Sequence, residues 1–249
     1  MFLKLAFLNL TRHPKRTILI IFAVLISVFV MEFVGGMLEG MRHNFFTNLL
    51  RDSGHIQLHA EGWQERLNPY SLDYLLENPQ EIIKALKSKQ EVSGAEKIVH
   101  FGALLIKNEK NLHIEGIGVQ PETEYFSQIR NGIKKGAFLP EGKGIVISSR
   151  IAELLDVAYE DRIVILVEDS TGSPYYMEYP ITGVFSTGSK ETDESAIYIS
   201  HGEASELLYL GNATTEIRIT LPDRNSAEQF VESTKPLFEQ YNAEASTWH

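Results

Sequence analysis

The chain has 249 residues, of which 43% are hydrophobic, and its formal net charge at pH 7 is -10. That length can build one or two folded cores, and the hydrophobic fraction excludes a chain lying mostly within a membrane. The absence of cysteine excludes disulfides, thiolate metal sites and cysteine nucleophiles.

The charge is distributed unevenly. Residues 1–16 carry four basic residues and no acid, so subtraction from the total of -10 leaves -14 on the remainder. The sequence after Arg16 shows no clustered basic stretch of the kind that a phosphate backbone requires, and we therefore exclude nucleic acid as a partner.

Residues 1–16 have an amphipathic pattern. On a helical wheel one side is apolar, with Phe2, Leu3, Ala6, Phe7 and Leu10, and the other side has Lys4, Asn9, Thr11, Arg12, Lys15 and Arg16. The pattern predicts a short helix in the cytoplasmic headgroup layer, with Pro14 marking the bend into the next segment. A disordered basic flank is the alternative.

Residues 17–38, TILIIFAVLISVFVMEFVGGML, contain Glu32 as their single ionisable group. As a helix this stretch is about 33 Å long, enough for a hydrocarbon core of about 30 Å, so a transmembrane helix is predicted. A cleaved signal peptide and a buried soluble helix are the alternatives. Cleavage is disfavoured because Glu39 follows Leu38 in place of a small-x-small site. Basic residues before the span place the N-terminus in the cytoplasm and residues 39–249 outside it.

Three polar or small residues near the outer end of the span are candidates for function. A carboxylate in this position either reaches the headgroups or faces a protein cavity, which makes Glu32 a functional candidate. Gly35 and Gly36 either permit close approach of another helix or loosen the exit from the membrane.

Beyond the span, the hydrophobic periodicity predicts a mixed domain of strands and helices. Strands are predicted over residues 54–60, 96–106, 113–119, 144–148, 162–168, 175–185, 196–200 and 216–222. Helices are predicted over residues 79–89, 149–155, 203–209 and 225–241, with Pro236 bending the last helix or capping its second half.

Sequence motifs for catalysis or cofactors are weak throughout the chain. Gly142–Gly144 lacks the spacing and hydroxyl residue of a nucleotide-binding loop, and Gly116–Gly118 lacks the third glycine of a dinucleotide fingerprint, so close packing at a strand end is expected there. His55 and His59 lie about 13 Å apart along a strand, too far for one metal ion. Ser186–Ser189 reads as a turn between strands. We predict no catalytic, cofactor or metal-binding residues.

Three segments carry a family resemblance. The opening FLNLTRHPKRTILIIFAVLISVFV resembles the start of permease subunits of the MacB/FtsX/LolCE group of bacterial ABC transporters. GKGIVISSRIAELLDVAYEDRIVI looks like that group's strand-helix-strand segment, with Glu160-Asp161 where Gly-Asp is usual. YPITGVFSTGSKETDESAIYISHGEASELL is similar to the LolC/LolE lipoprotein-releasing branch, the run Gly183 to Asp193 standing for its "GIF-x-TG-x-x-x-x-D" motif. With EIRITLPD, the resemblance covers nearly the whole chain.

The resemblance implies a non-catalytic permease of the bacterial inner membrane, with its ATPase on a separate chain and a second permease subunit, identical or different, beside it. The fold it implies is α+β, a transmembrane helix followed by a two-lobed periplasmic core domain over residues 39–249. The expected outer lobe, about 112–210, is inserted into a membrane-proximal lobe of about 50–111 plus 211–249. The chain stops about where a second span would begin, so a truncated permease is expected.

Lipoprotein release or export is the function that the resemblance implies, with a lipoprotein substrate or periplasmic carrier and membrane lipid as further partners. Acyl chains need an apolar groove, and the residues available for a groove or a helix contact are Val28, Phe29, Met31, Glu32, Phe33, Gly35 and Gly36. The alternatives are an FtsX-like scaffold that regulates a cell-wall hydrolase, and a single-pass membrane-anchored binding or enzymatic domain.

Overall fold

A computed structural model of the protein describes residues 14–140 and 142–247, with the backbone alone for residues 39, 41–53 and 224. The predicted amphipathic helix of residues 1–16 therefore lies almost wholly outside the described residues. Contacts divide the chain into two compact units, Met1–Leu49 and Leu50–His249.

The described part of the first unit consists of one long helix, α1, Pro14–Ser53, whose last four residues belong to the second unit. Its segment Pro14–Leu38 has a mean hydropathy of 2.8 and is 0% buried, and it is long and apolar enough to cross a membrane. The predicted apolar helix over residues 17–38 is confirmed. The helix continues to Ser53, fifteen residues beyond the end of this segment at Leu38.

The described residues of the second unit form ten strands and six further α-helices. The strands are β1 Ile56–Ala60, β2 Gly94–Lys107, β3 Lys110–Val119, β4 Ile133–Gly136, β5 Ile145–Ser148, β6 Arg162–Glu168, β7 Pro174–Phe185, β8 Ala196–Ser200, β9 Glu216–Thr220 and β10 Ala243–Thr247. The helices are α2 Pro79–Lys87, α3 Ser127–Asn131, α4 Ser149–Leu155, α5 Lys190–Ser195, α6 His201–Leu207 and α7 Ala227–Gln240, and single 3-10 turns occupy Trp63–Glu65 and Arg224–Ser226.

Four strands form an antiparallel sheet in the order β10-β1-β9-β2. Helix α2 connects β1 to β2 and α7 connects β9 to β10, so the sheet has the split β-α-β connectivity of ferredoxin-like folds. Alternate residues of β1 and β9 pack against the two helices because one face of each strand is apolar. This core includes Ile56, Leu58, Ile82, Leu86, Ile217, Ile219, Phe230 and Phe238.

Strand β2 is long enough to belong to a second group of strands. From Val99 onward it pairs with β3 on one side and, over residues 103–106, with β6 on the other. The pairings β2-β3-β8-β5-β7-β6-β2 close into a ring of six strands, and β4 pairs with the last three residues of β7. A closed ring leaves few unpaired strand edges. Its interior includes Phe101, Leu105, Ile147, Ile165, Tyr179, Ile181 and Ile197.

The segment between β3 and β5 covers a third core. Tyr125, Phe126 and Ile129 are buried there together with Phe185 and Tyr198. The Tyr198 ring makes edge contacts with Phe126 at 5.3 Å and with Phe185 at 5.7 Å between ring centroids. Such contacts are favoured between aromatic rings, and they hold residues 120–140 against the outside of the sheet.

The predicted mixed α/β domain with one N-terminal apolar helix is confirmed. Helix α3 and strands β4 and β10 were not predicted, and neither was α5. Helix α7 runs through Pro236 without interruption. Contacts separate the chain only between Leu49 and Leu50, so the two lobes and their boundaries stay a prediction.

Candidate functional site

The predicted groove residues lie on α1 with exposed side chains. Two lines with i, i+4, i+7 spacing run along the helix, Val28-Glu32-Gly35 and Phe29-Phe33-Gly36, and the Phe29 and Phe33 rings lie 6.2 Å apart. A Cβ added at Gly35 or Gly36 would meet no atom within 4 Å. Met31 lies outside both lines. The spacing thus puts six of the seven residues on one side of α1, and their role stays a prediction.

A cluster of buried charges that the sequence did not predict lies in the second unit. Glu216 and Arg218 alternate in β9 with two core isoleucines, so they face the opposite side of the sheet, and they are only 3% and 5% exposed. Arg218 Nε lies 2.5 Å from Glu216 Oε1. His100 on β2 places Nε2 3.1 Å from Glu216 Oε2 and Nδ1 2.6 Å from Glu115 Oε1 on β3. One imidazole thereby bridges carboxylates on the two neighbouring strands.

Mutual attraction decides the charge states of this cluster. Burial alone would lower the pKa of His100, but hydrogen bonds to Glu115 and Glu216 raise it to about 9. Burial alone would raise the pKa of Glu216, but Arg218 and His100 outweigh it and hold the pKa well below its usual value. The cluster therefore contains two cations and two anions at neutral pH, which satisfies the requirement that buried charges be paired.

Aromatic rings surround the buried charges on two sides. His59 stacks on Trp63 with 4.3 Å between centroids, and Arg66 lies 3.5 Å above the Trp63 ring. His59 Nδ1 is 3.0 Å from the Thr215 carbonyl oxygen, and burial lowers the pKa of His59. On the other side Arg218 lies 5.1 Å from the Phe126 ring centroid. The polar groups of the cluster are occupied with one another, which suits the positioning of strands rather than chemistry on a substrate.

A comparison with known families accounts for both units. The sequence model of the MacB-like periplasmic core domain matches residues 17–237, and so includes the apolar part of α1 as well as nearly all of the mixed domain. The chain belongs to this family.

Two solved structures resemble the MacB-like domain. The extracellular domain of the noncanonical ABC-type transporter YknZ from Gram-positive bacteria is 13% identical, with 79% of this chain and 100% of that chain covered and a TM-score of 0.52. The periplasmic region of MacB from Actinobacillus actinomycetemcomitans is 11% identical, with 80% of this chain and 91% of that chain covered and a TM-score of 0.52. At these identities the likeness is one of fold. No curated protein matches the sequence.

The run Gly183 to Asp193, part of the resemblance seen in the sequence, forms a hydrogen-bonded turn in the MacB-like domain. Asp193 is 7% exposed and accepts hydrogen bonds from Thr187 N at 2.9 Å, Thr187 Oγ1 at 2.8 Å and Ser186 Oγ at 3.0 Å. Gly188 in the same turn has φ of 81°, a left-handed conformation in which glycine is unstrained. The aspartate and the glycine of this motif therefore fix the chain direction between β7 and α5.

The segment in which Glu160-Asp161 replaces the usual Gly-Asp keeps a geometry suited to glycine. Glu160 has φ of 75°, and its N–H donates to the Ile181 carbonyl at 3.0 Å. Asp161 Oδ2 accepts from Ala158 N at 2.7 Å. Glutamate thus occupies a left-handed position at a cost of about 1–2 kcal/mol.

The pair Gly116–Gly118 is closely packed. A Cβ at Gly116 would lie 2.2 Å from the Phe101 ring, and one at Gly118 would lie 2.6 Å from Ala204 Cβ. Both approaches are closer than real side chains permit. The two glycines therefore allow Phe101 and α6 to pack against β3, and the motif has a structural role.

Proposed function

We propose that this protein is a non-catalytic permease subunit of an ABC transporter, in which the MacB-like domain lies outside the cytoplasm and moves in response to ATP hydrolysis on a separate chain. The observation that carries the proposal is the family match over residues 17–237. One family model includes both the apolar segment of α1 and the mixed domain. The two structural relatives, the extracellular domain of an ABC-type transporter and the periplasmic region of MacB, support it.

The covalent path from membrane to domain supports transmission of motion. Helix α1 continues for fifteen residues after Leu38, to Ser53, and β1 follows at Ile56. A helix is a stiff element, so a shift of the span is passed to the chain that follows it, and rigid-body tilting is one of the common forms of conformational switching. The closed ring of strands and the buried charges favour a domain that moves as a body.

Orientation can be tested because the chain has no cysteine. We expect a single cysteine at Leu67, which is 102% exposed, to react in intact cells or spheroplasts with a maleimide that does not cross membranes. A single cysteine at Lys4, on the other side of the span, is the matched control and should react only after lysis. The reverse pattern would refute the proposed orientation.

Partners can be identified by purifying the tagged protein, with its gene intact at its natural locus, from solubilised membranes. We expect an ATPase chain to co-purify, with ATP hydrolysis measurable in the complex. A second, differently tagged copy that co-purifies would indicate a homodimer, and a different permease chain would indicate a heterodimer. Co-purification of a cell-wall hydrolase without lipoprotein would favour the FtsX-like scaffold, and the absence of any ATPase would refute the transporter proposal.

The narrower proposal, which rests on the resemblance, is lipoprotein release with acyl chains held along the outer half of the predicted span, residues 17–38. Phe29, 69% exposed, lies in that half, and Phe22, 63% exposed, lies in the inner half of the same span. We expect Phe29→Asp in the full-length permease to abolish release of a lipoprotein from spheroplasts, while Phe22→Asp retains more of it at equal membrane abundance. Normal release by Phe29→Asp would refute the groove.

A further inference from the structure

The structure contains a cavity of about 560 Å³ between α2 and the first residues of β2. Its lining is mixed, with more apolar than polar surface, and it includes three lysines: Gln80, Ile83, Lys84, Lys87, Ser88, Ala95, Lys97 and Gln120. Cavities of about 300–1,000 Å³ are the size that small ligands occupy. Three lysines from two different elements therefore meet at one site in a chain whose net charge is -10.

Lys97 is the unusual member of this group. It follows Ala95 and precedes Val99 at alternate positions of β2, and both of these neighbours are core residues, 2% and 0% exposed. Alternation along a strand puts all three on the core-facing side, where an apolar side chain is expected. Burial lowers the pKa of the Lys97 ammonium, so its charge is held there at a cost in free energy.

Among the described residues, no carboxylate forms a salt bridge with any of these three lysines. The lysines that form ion pairs among the described residues are Lys143 and Lys190, and neither lines the cavity. His201, which feels the Lys97 charge, is uncharged at neutral pH, because burial and, after it, the Lys97 charge lower the pKa of His201 to about 4. His201 is 5% exposed, and its Nε2 is buried without a hydrogen-bond partner among the described atoms.

Helix α2 supplies two of the three lysines, and its regular spacing directs them to the cavity. Gln80, Lys84 and Lys87 follow one another at i, i+4 and i+7 and so lie on one face of α2. Lysines in the last turn of a helix are favoured by the helix dipole, which accounts for Lys84 and Lys87. It does not account for Lys97, which lies on a strand and meets them across the cavity.

We infer that this cavity binds a compact phosphate-bearing ligand. A phosphate group carries a charge of about -1.5 to -2 at neutral pH, and lysine binds it as a point charge. Three ammonium groups supply the charge, while the amides of Gln80 and Gln120 and the hydroxyl of Ser88 can complete the hydrogen bonds. A ligand of this kind lowers the cost of keeping Lys97 charged, which the protein alone does not do.

The test uses the full chain in neutral detergent micelles at low salt and pH 7, titrated calorimetrically with inorganic phosphate. We expect saturable binding that weakens as salt is added, and at least a tenfold loss of affinity in Lys97→Met and in the double variant Lys84→Gln/Lys87→Gln. The matched control is Lys134→Gln/Lys135→Gln, which removes two exposed lysines of β4 and should bind like the parent protein. Absence of saturable binding, or equal losses in the control, would overturn the inference.

The source of the phosphate is resolved by repeating the titration with glycerol phosphate and with a short-chain phosphatidylglycerol. Tighter binding of the lipid than of inorganic phosphate would identify a lipid headgroup, and the opposite order would identify a free phosphate compound. Folding is checked by thermal unfolding, where Lys97→Met should melt no lower than the parent. If Lys97→Met aggregates while Lys84→Gln/Lys87→Gln binds phosphate normally, Lys97 protects a strand edge and the inference is wrong.

Discussion

His100 and Glu216 are joined diagonally across the pairing of β2 with β9, with 3.1 Å between Nε2 and Oε2. The other ring nitrogen of His100 meets Glu115 on β3. Strand β9 belongs to the four-stranded sheet and β3 to the ring of six strands, so this imidazole connects the two groups at the strand they share. The imidazole thus adds a side-chain connection between the two groups to the backbone connection that β2 provides.

The stability of the domain should decrease as the pH rises above about 6.5 and through about 9. The pKa of His100 is raised to about 9 in the folded protein, so its contribution is complete below the unfolded value of about 6.5 and is lost by deprotonation. A shift of this size corresponds to at most ~3 kcal/mol. The free energy of unfolding, measured by denaturant titration between pH 6 and 10, should show this decrease in the parent, and His100→Gln should remove most of it.

Glu216→Gln should be strongly destabilising, by ~3–5 kcal/mol, because it leaves Arg218 and His100 buried without their shared counter-charge. The matched control is Glu178→Gln, which breaks the exposed pair of Arg162 and Glu178, 2.6 Å apart, and should cost less than ~1 kcal/mol. The loss of unfolding free energy in each variant is measured from its denaturant midpoint relative to the parent. Similar costs for both would show that the buried cluster contributes little.

The low pKa of Glu216 predicts the opposite trend in acid. Its pKa is depressed in the folded state, so its contribution is present above the unfolded value of about 4.3 and is lost as the pH falls below it. We expect the parent to lose stability between pH 5 and pH 3 more steeply than Glu216→Gln does. The measurement is an acid titration of each protein followed by circular dichroism. Unfolding curves of equal steepness would contradict this prediction.

Asp193→Ala should loosen the turn between β7 and α5, because three hydrogen-bond donors lose their acceptor. The expected cost is ~2–4 kcal/mol, with faster amide exchange at Thr187 than in the parent. Glu194→Ala is the control, since its pair with Arg150 is exposed and should matter little. Unchanged exchange at Thr187 in Asp193→Ala would show that the turn holds without the carboxylate.

The predictable part of the fold is the part whose pattern is local. Apolar alternation predicted β6 and β8 with their observed bounds, and helical spacing predicted α4. Strand β10, AEAST, has no apolar alternation of that strength, and it exists because it pairs with β1. Helix α3 has five residues and follows Phe126 in a left-handed conformation, so its formation depends on tertiary packing and not on propensity.

The buried charges escaped sequence reasoning for a related reason. The alternation in EIRIT predicts a strand with one apolar face, and the simplest interpretation puts Glu216 and Arg218 in water. Only the fold brings His100 and Phe126 over that second face. Likewise, the lysines of the cavity are separated by up to thirteen residues and lie on a helix and a strand, so no linear pattern marks them as a basic cluster.

Glu160→Gly should stabilise the domain although it removes a whole side chain. Glu160 is exposed and has φ of 75°, and relief of about 1–2 kcal/mol of left-handed strain exceeds the ~0.4–1 kcal/mol that glycine loses through the greater freedom of the unfolded chain. The expected net gain is ~0.5–1 kcal/mol in the free energy of unfolding. Glu160→Ala keeps the strain and is the control, so it should be no more stable than the parent. If alanine stabilised as much as glycine, the gain would come from loss of the glutamate charge, and the left-handed turn would not be the reason that glycine suits this position.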